Sequence, residues 1–202
     1  MMELIYNGGR KVDLVAIEKV EREKYSKLHK EGYGAGKYED RVGNFILPRV
    51  NKSDRILELG CGQGFLVKHF TANGYYARGV DITLDGVSGG KGLFKRAALW
   101  DLPFEDGEFD FSFSVDVMEH MPTELVGKVI NEIYRVTTDK TFHIICPRPS
   151  MHREGLHLTV ENARWWRTQF ALKNPDHKQT IVIDSEEFSV FCLLEAWSGH
   201  DD

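Results

Sequence analysis

The chain has 202 residues, enough for one well-buried domain and too few for two of ordinary size. Its net charge of −5, from 26 Lys and Arg against 31 Asp and Glu, argues against broad nucleic-acid binding, which normally rests on a basic surplus. No apolar run reaches membrane-span length, Met1-Met2-Glu3-Leu4-Ile5 lacks the parts of a signal peptide, and Cys61, Cys146 and Cys192 are too scattered for a disulfide framework, so a cytoplasmic protein with reduced thiols is expected.

From about Leu14 to Lys30, the residues Leu14, Ile17, Val20, Tyr25 and Leu28 recur amid dense charge, the pattern of a partly buried helix. Gly32-Tyr33-Gly34-Ala35-Gly36 breaks it, and Tyr38, Val42, Phe45 and Ile46 predict a second short helix ending near Pro48. Residues 1–52 therefore read as a helical lid on a core spanning 53–202, with the glycine run as hinge and Tyr33 and Tyr38 placed to meet a substrate.

Ile56, Leu57 and Leu59 form the apolar signal of a buried parallel strand, and Phe65, Leu66, Val67 and Phe70 open an amphipathic helix. Gly60-Cys61-Gly62-Gln63-Gly64 joins the two, so the glycines occupy a strand-to-helix turn at the carboxyl edge of a doubly wound sheet, where ligands bind. A dinucleotide loop would place its third glycine at position 65, which is Phe65, and no Gly-Lys-Ser/Thr ending marks a triphosphate loop. Strand and helix signals then alternate: Ala77 to Ile82, Phe94 to Leu99, Phe109 to Val117, a helix from Thr123 to Val136, and Thr141 to Cys146. A helix over Glu161 to Leu172 follows, with strands Thr180 to Ile183 and Phe188 to Leu194 as a closing hairpin.

Glu58, two residues before the first glycine, with Gly60, Gly62 and Gly64 following, resembles the first motif of the class I S-adenosylmethionine-dependent methyltransferases. The resemblance covers about residues 53–197 and implies an α/β fold with a doubly wound, mostly parallel seven-stranded sheet and a C-terminal antiparallel hairpin. It implies S-adenosylmethionine as cofactor and S-adenosylhomocysteine as product, with Cys61 filling the turn. Asp81, ending the second strand beside Ile82, stands where an acid grips ribose hydroxyls. Ala98-Leu99-Trp100-Asp101-Leu102-Pro103-Phe104 resembles the adenine-recognising segment, but the usual acid falls on Ala98, leaving adenine to Asp101 or to backbone, with Leu99 as wall. Phe109 to Val115 running into Asp116 to Pro122 resembles the family's fourth motif, which implies that the backbone at Ser114 and Val115 meets the methionine ammonium group while Asp116 and His120 face the acceptor.

Methyl transfer from a sulfonium is a displacement, so the protein mainly aligns the reactants. For a hydroxyl acceptor a base must take the proton; His120 is the first candidate and His157 the second. The histidines have no recognisable metal spacing, and no metal is expected. From Arg148 to Lys178 six Lys and Arg face three Asp and Glu, which suits an anionic acceptor. Trp165 and Trp166 point about 100° apart on a helix, so one of them, Trp165, is the candidate stacking platform. The expected activity is transfer to an O or N atom of a small, anionic molecule. An RNA or protein methyltransferase, and a non-catalytic adenosylmethionine-binding subunit, stand as alternatives.

Overall fold

The computed structural model describes residues 4–7, 10–34, 39–174, 179–184 and 195–196. It opens with a two-stranded antiparallel sheet, β1 (Leu4–Asn7) and β2 (Arg10–Asp13), which the sequence reading does not include. Asp13 ends β2 and caps α1 (Leu14–Lys30), its Oδ1 accepting the Ala16 N–H at 3.1 Å. The short α2 (Glu39–Ile46) runs into a 3-10 turn at Leu47–Arg49 that contains Pro48. Both helices match the spacing of their apolar residues.

The core then alternates β3 (Arg55–Leu59), α3 (Phe65–Ala72), β4 (Tyr76–Asp81), β5 (Phe94–Arg96), β6 (Phe109–Val115), α4 (Val126–Val136), β7 (Thr137–Ile145), α5 (Ala163–Leu172), β8 (Gln179–Asp184) and β9 (Glu195–Ala196). Across the sheet the order is β5-β4-β3-β6-β7-β8-β9, parallel through β8, with β9 antiparallel to it. The chain leaves β3 toward β4 and β5, then returns on its other side through β6, so the order reverses between β3 and β6 and opens a crevice at their carboxyl ends. Leu57 and Leu59 pack with α4 and α5 on one face, and Ile56 packs with Val67, Phe70 and α2 residues on the other. Among the described residues no helix is long and apolar enough to cross a membrane.

Several boundaries differ from the sequence reading: β6 ends at Val115 rather than Val117, and α4 begins at Val126, after a 3-10 turn at Thr123–Leu125. The strand expected to reach Leu99 stops at Arg96, because Ala97 N–H bonds to Asp81 O and the chain turns, Asp101 N–H reaching back to Ala98 O at 3.1 Å. Strand β7 begins four residues earlier than Thr141: the polar run from Thr137 is held by hydroxyls, Thr137 Oγ1 donating to Ser112 Oγ at 2.8 Å. Helix α5 begins after Asn162, whose side chain accepts the Trp165 N–H at 3.0 Å. The expected strand Phe188 to Leu194 lies outside the described residues.

Two arginines hold the frame of the crevice. Arg55 binds Asp110 through Nε and Nη2, both at 2.9 Å, tying the start of β3 to β6 and holding the Asp110 carboxyl down to about 2. Arg135 on α4 donates to Leu102 O at 3.0 Å and Phe104 O at 2.8 Å, while Glu132 accepts the Leu102 N–H at 2.8 Å. That staple sets the loop carrying Leu99 and Trp100 against the crevice.

Candidate active site

A cavity of about 200 Å³ occupies the crevice. Its floor is the glycine turn. Gly60 and Cys61 donate to Val80 O at 2.8 and 3.0 Å, and Gly64 N–H closes the turn on Cys61 O at 2.7 Å. Gly62 has a φ of +51°, and a Cβ there would meet no protein atom within 4 Å, so its missing side chain leaves the backbone open to the cavity. Gly64, by contrast, has a φ of +74° and sits under the Phe94 ring, 2.4 Å from where a Cβ would be; it starts α3 and does not line the cavity. Gly79 of β4, which sequence reasoning passed over, is needed because the Cys61 side chain lies over it.

Asp81 reaches the cavity from the end of β4 and is 6% exposed. Its oxygens accept the N–H of Gly62 at 2.9 Å and of Thr83 at 3.1 Å, and a carboxylate has further lone pairs for a ligand's hydroxyls. Burial pushes its pKa up, opposed by nearby His29 and the N–H donors. Glu58 lies below the turn, Oε2 accepting the Val67 N–H at 3.2 Å.

The opposite wall comes from two separate segments, with a third behind them. Helix α1 contributes Glu21, Tyr25 and His29, spaced by four and hence on one face, with Tyr33 just beyond its end. That spacing is present in the sequence, but of the three only Tyr25 belongs to the helix's apolar pattern. Ser26 and Lys30 pin α1 to Asp85 in the loop after β4. The buried Tyr25 hydroxyl and His29 Nδ1 have no hydrogen-bond partner among the described residues. The turn after β6 contributes Asp116, held at φ +51° in the left-handed region, and His120 on the 3-10 turn Met118–His120. The loop after β7 supports His120 from behind: Leu156 O lies 2.9 Å from its Nδ1, and the His157 ring stands 4.8 Å away, edge to face. The Asp116 backbone is a second hydrogen-bond partner of the ring. Burial lowers the His120 pKa to about 4, so the ring is neutral at pH 7.

Of the residues anticipated from sequence, Glu58, Gly60, Cys61, Gly62, Asp81, Ile82, Leu99 and Val115 share this cavity with Tyr33, Asp116 and His120. Others lie off its wall. Ser114 alternates with Val115 along β6 and turns its hydroxyl into the core, 2.8 Å from His143 Nδ1. Ala98 is buried in the core cluster and Asp101 is exposed. His157 is behind His120, and Trp165 packs on Trp166 at 5.0 Å against the core. Tyr38 lies outside the described residues. Among the described residues no lysine or arginine lines the cavity, whereas Glu21, Glu58, Asp81 and Asp116 do.

Residues 57–145 match a family model described as "Methyltransferase domain". The chain is 32% identical over 98 residues to the chloroplastic tocopherol O-methyltransferase of Arabidopsis thaliana, covering 42% of this chain and 27% of that one. It is 24% identical over 168 residues to "Probable methyltransferase ltbC" of Aspergillus luteorubrus, covering 70% of this chain and 58% of that one. It thus spans less than two thirds of the length of these relatives. A Burkholderia thailandensis 1,6-didemethyltoxoflavin-N1-methyltransferase, solved with 1,6-didemethyltoxoflavin and S-adenosylhomocysteine, shares the fold with a TM-score of 0.64 at 15% identity, over 89% of each chain. The matched segment runs from the glycine-turn strand to the end of β7 and so contains the turn, Asp81 and His120. The segment that matches the methyltransferase-domain model is thus folded as an order-reversing parallel sheet around one cavity, the fold this chain shares with the Burkholderia methyltransferase.

Proposed function

We propose that the chain transfers a methyl group from S-adenosylmethionine to an oxygen or nitrogen of a small acceptor, releasing S-adenosylhomocysteine. The observation that carries this reading is one cavity holding both the Gly62–Asp81 cradle and the neutral His120 imidazole. When bound, the cofactor supplies an electrophilic methyl group whose leaving group is a neutral thioether. The chain's own contribution is orientation and charge. Asp81 takes the ribose hydroxyls, Leu99 and Trp100 wall the adenine, and the backbone at Val115 receives the ammonium group. The carboxylates of Glu21, Glu58 and Asp116 suit a ligand bearing a sulfonium and an ammonium against one carboxylate. Helix α1, bringing Tyr25, His29 and Tyr33, caps the site, and residues 1–52 serve as its lid. The pair β8–β9 is read as the closing antiparallel edge of a seven-stranded sheet.

On the acceptor side, loss of the acceptor's proton depends on His120. An anionic group on the acceptor finds no cation among the described residues lining the cavity, and what supports an anionic acceptor is the basic surplus from Arg148 to Lys178. A small acceptor is also in keeping with the Burkholderia neighbour, solved with 1,6-didemethyltoxoflavin. The test is release of S-adenosylhomocysteine across panels of hydroxylated and amino compounds, with and without phosphate or carboxylate groups, beside RNA and protein extracts. Turnover on a small molecule is expected. Turnover confined to RNA or protein overturns the acceptor assignment, and tight cofactor binding without any turnover overturns the enzymatic one.

A further inference from the structure

Glu119 and His120 are adjacent on the turn after β6, and His157 stands 37 positions further along, in the loop after β7. The fold brings the three together: one ligand-type atom from each lies within 4.8 Å of the other two. Glu119 is 0% exposed, an expensive place for a carboxyl group. Its Oε1 accepts the Cys146 N–H at 3.2 Å, but Oε2 has no hydrogen-bond partner among the described residues, and no described lysine or arginine forms an ion pair with it. Burial and then the neighbouring Asp116 push the Glu119 pKa well above the ordinary carboxyl range.

Both imidazoles are oriented from behind. His120 Nδ1 lies 2.9 Å from Leu156 O, and His157 Nδ1 2.5 Å from Arg148 O. Each carbonyl accepts a ring proton on Nδ1, the outer-shell arrangement that orients an imidazole metal ligand, and the Asp116 backbone is a further hydrogen-bond partner of His120. The turn and the loop are also clamped to each other, Leu158 and Thr159 N–H donating to Glu119 O at 2.8 and 2.9 Å. Ligand positions are therefore set by backbone before any ion arrives.

We propose that Glu119, His120 and His157 bind one divalent first-row transition-metal ion at the acceptor end of the cavity. One carboxylate with two imidazoles is a donor set for Zn²⁺, Fe²⁺, Co²⁺ or Mn²⁺ rather than for Ca²⁺ or Mg²⁺. Bonds of about 2.1 Å put tetrahedral ligand atoms about 3.4 Å apart, so the three side chains close by roughly 1 Å on binding. Three protein ligands leave a coordination position open, and His120 borders the cavity from which an acceptor enters.

The role of the ion rests on the methyl-transfer reading, whereas its binding does not. An acceptor hydroxyl bound at the open position loses its proton to bulk water at neutral pH. Its oxygen then forms a bond to the methyl carbon as the carbon–sulfur bond breaks, both electrons staying on sulfur. His120 thus acts on the acceptor's proton through the ion, and no oxidant or reductant is consumed.

The test uses tag-free full-length protein, stripped with a chelator, titrated with Zn²⁺ or Co²⁺ and desalted before metal analysis. The wild type is expected to retain about one equivalent and to give a Co²⁺ visible spectrum of low coordination number. Glu119→Gln and His157→Ala should each weaken binding about 10- to 100-fold. Because His157 is on a partly exposed loop, His157→Ala keeps the core intact, which unchanged S-adenosylhomocysteine affinity verifies. Wild type retaining no ion, or His157→Ala binding as tightly as wild type, overturns the proposal. Ion binding without S-adenosylhomocysteine binding would instead break the methyl-transfer reading and leave the metal site standing.

Discussion

The two ends of the cavity are made of different materials. At the cofactor end, a continuous stretch of chain does most of the work: three glycines with positive φ and backbone N–H groups, with Asp81 arriving from the neighbouring strand. At the acceptor end, side chains arrive from α1, from the turn after β6 and, behind them, from the loop after β7. A site made of backbone depends on conformations few residues can adopt, so it tolerates little change. A site made of side chains on separate elements can change its chemistry one residue at a time while the sheet stays as it is.

That division predicts which substitutions should separate catalysis from cofactor binding. The largest effect is expected from His120→Ala, which should lower turnover by about two to four orders of magnitude while S-adenosylhomocysteine affinity by calorimetry stays within about twofold. Equal losses of both would show that the two ends are one unit. Next comes a contrast within the turn. Gly64→Ala meets the Phe94 ring and a φ of +74°, so thermal melts should show a loss of about 3 kcal/mol from strain and overpacking together. Gly62→Ala has space and carries only the φ strain, about 1–2 kcal/mol, but should weaken S-adenosylhomocysteine binding more than Gly64→Ala does. A reversed order of affinities would mean that Gly62 does not face the ligand.

Asp81→Ala removes charge-assisted hydrogen bonds worth about 1.5–3 kcal/mol each, and calorimetry should read a 10- to 100-fold loss of S-adenosylhomocysteine affinity. Unchanged affinity would move the ribose elsewhere. A separate effect concerns stability and pH. His143 is fully buried against Phe170, with Nδ1 on Ser114 Oγ, and burial lowers its pKa from 6.5 to about 3. The unfolded chain therefore binds a proton that the folded one refuses, so this contribution to stability is intact above about pH 6.5 and declines as the pH falls toward 3. Melting temperature should fall with acid over that window, and His143→Gln should flatten the slope.

The parts of the fold legible beforehand were those whose own residues carry the period. Helix α1 matches its predicted span from Leu14 to Lys30, and β3 and α3 follow from Ile56, Leu57 and Leu59 running into Phe65, Leu66 and Val67. The start of β7 was not legible, because Thr137 to Lys140 carries no apolar pattern and is held by hydroxyl bonds to β6 that no local window contains. Strands β1 and β2 are likewise absent from the sequence reading; their pairing with each other is seen only in the fold.

By itself the sequence determined the parallel α/β sheet, the glycine turn after β3, and the acid at the end of β4. Each of these is dictated within a few residues by burial, by φ above zero or by strand-end geometry. Only the tertiary structure decided that Glu21, Tyr25 and His29 face the cavity, that Asp101 and Trp165 do not, and that Glu119 meets His157. Those contacts depend on how α1 docks and how two loops clamp together, and distances across separate elements leave no period or spacing in the chain.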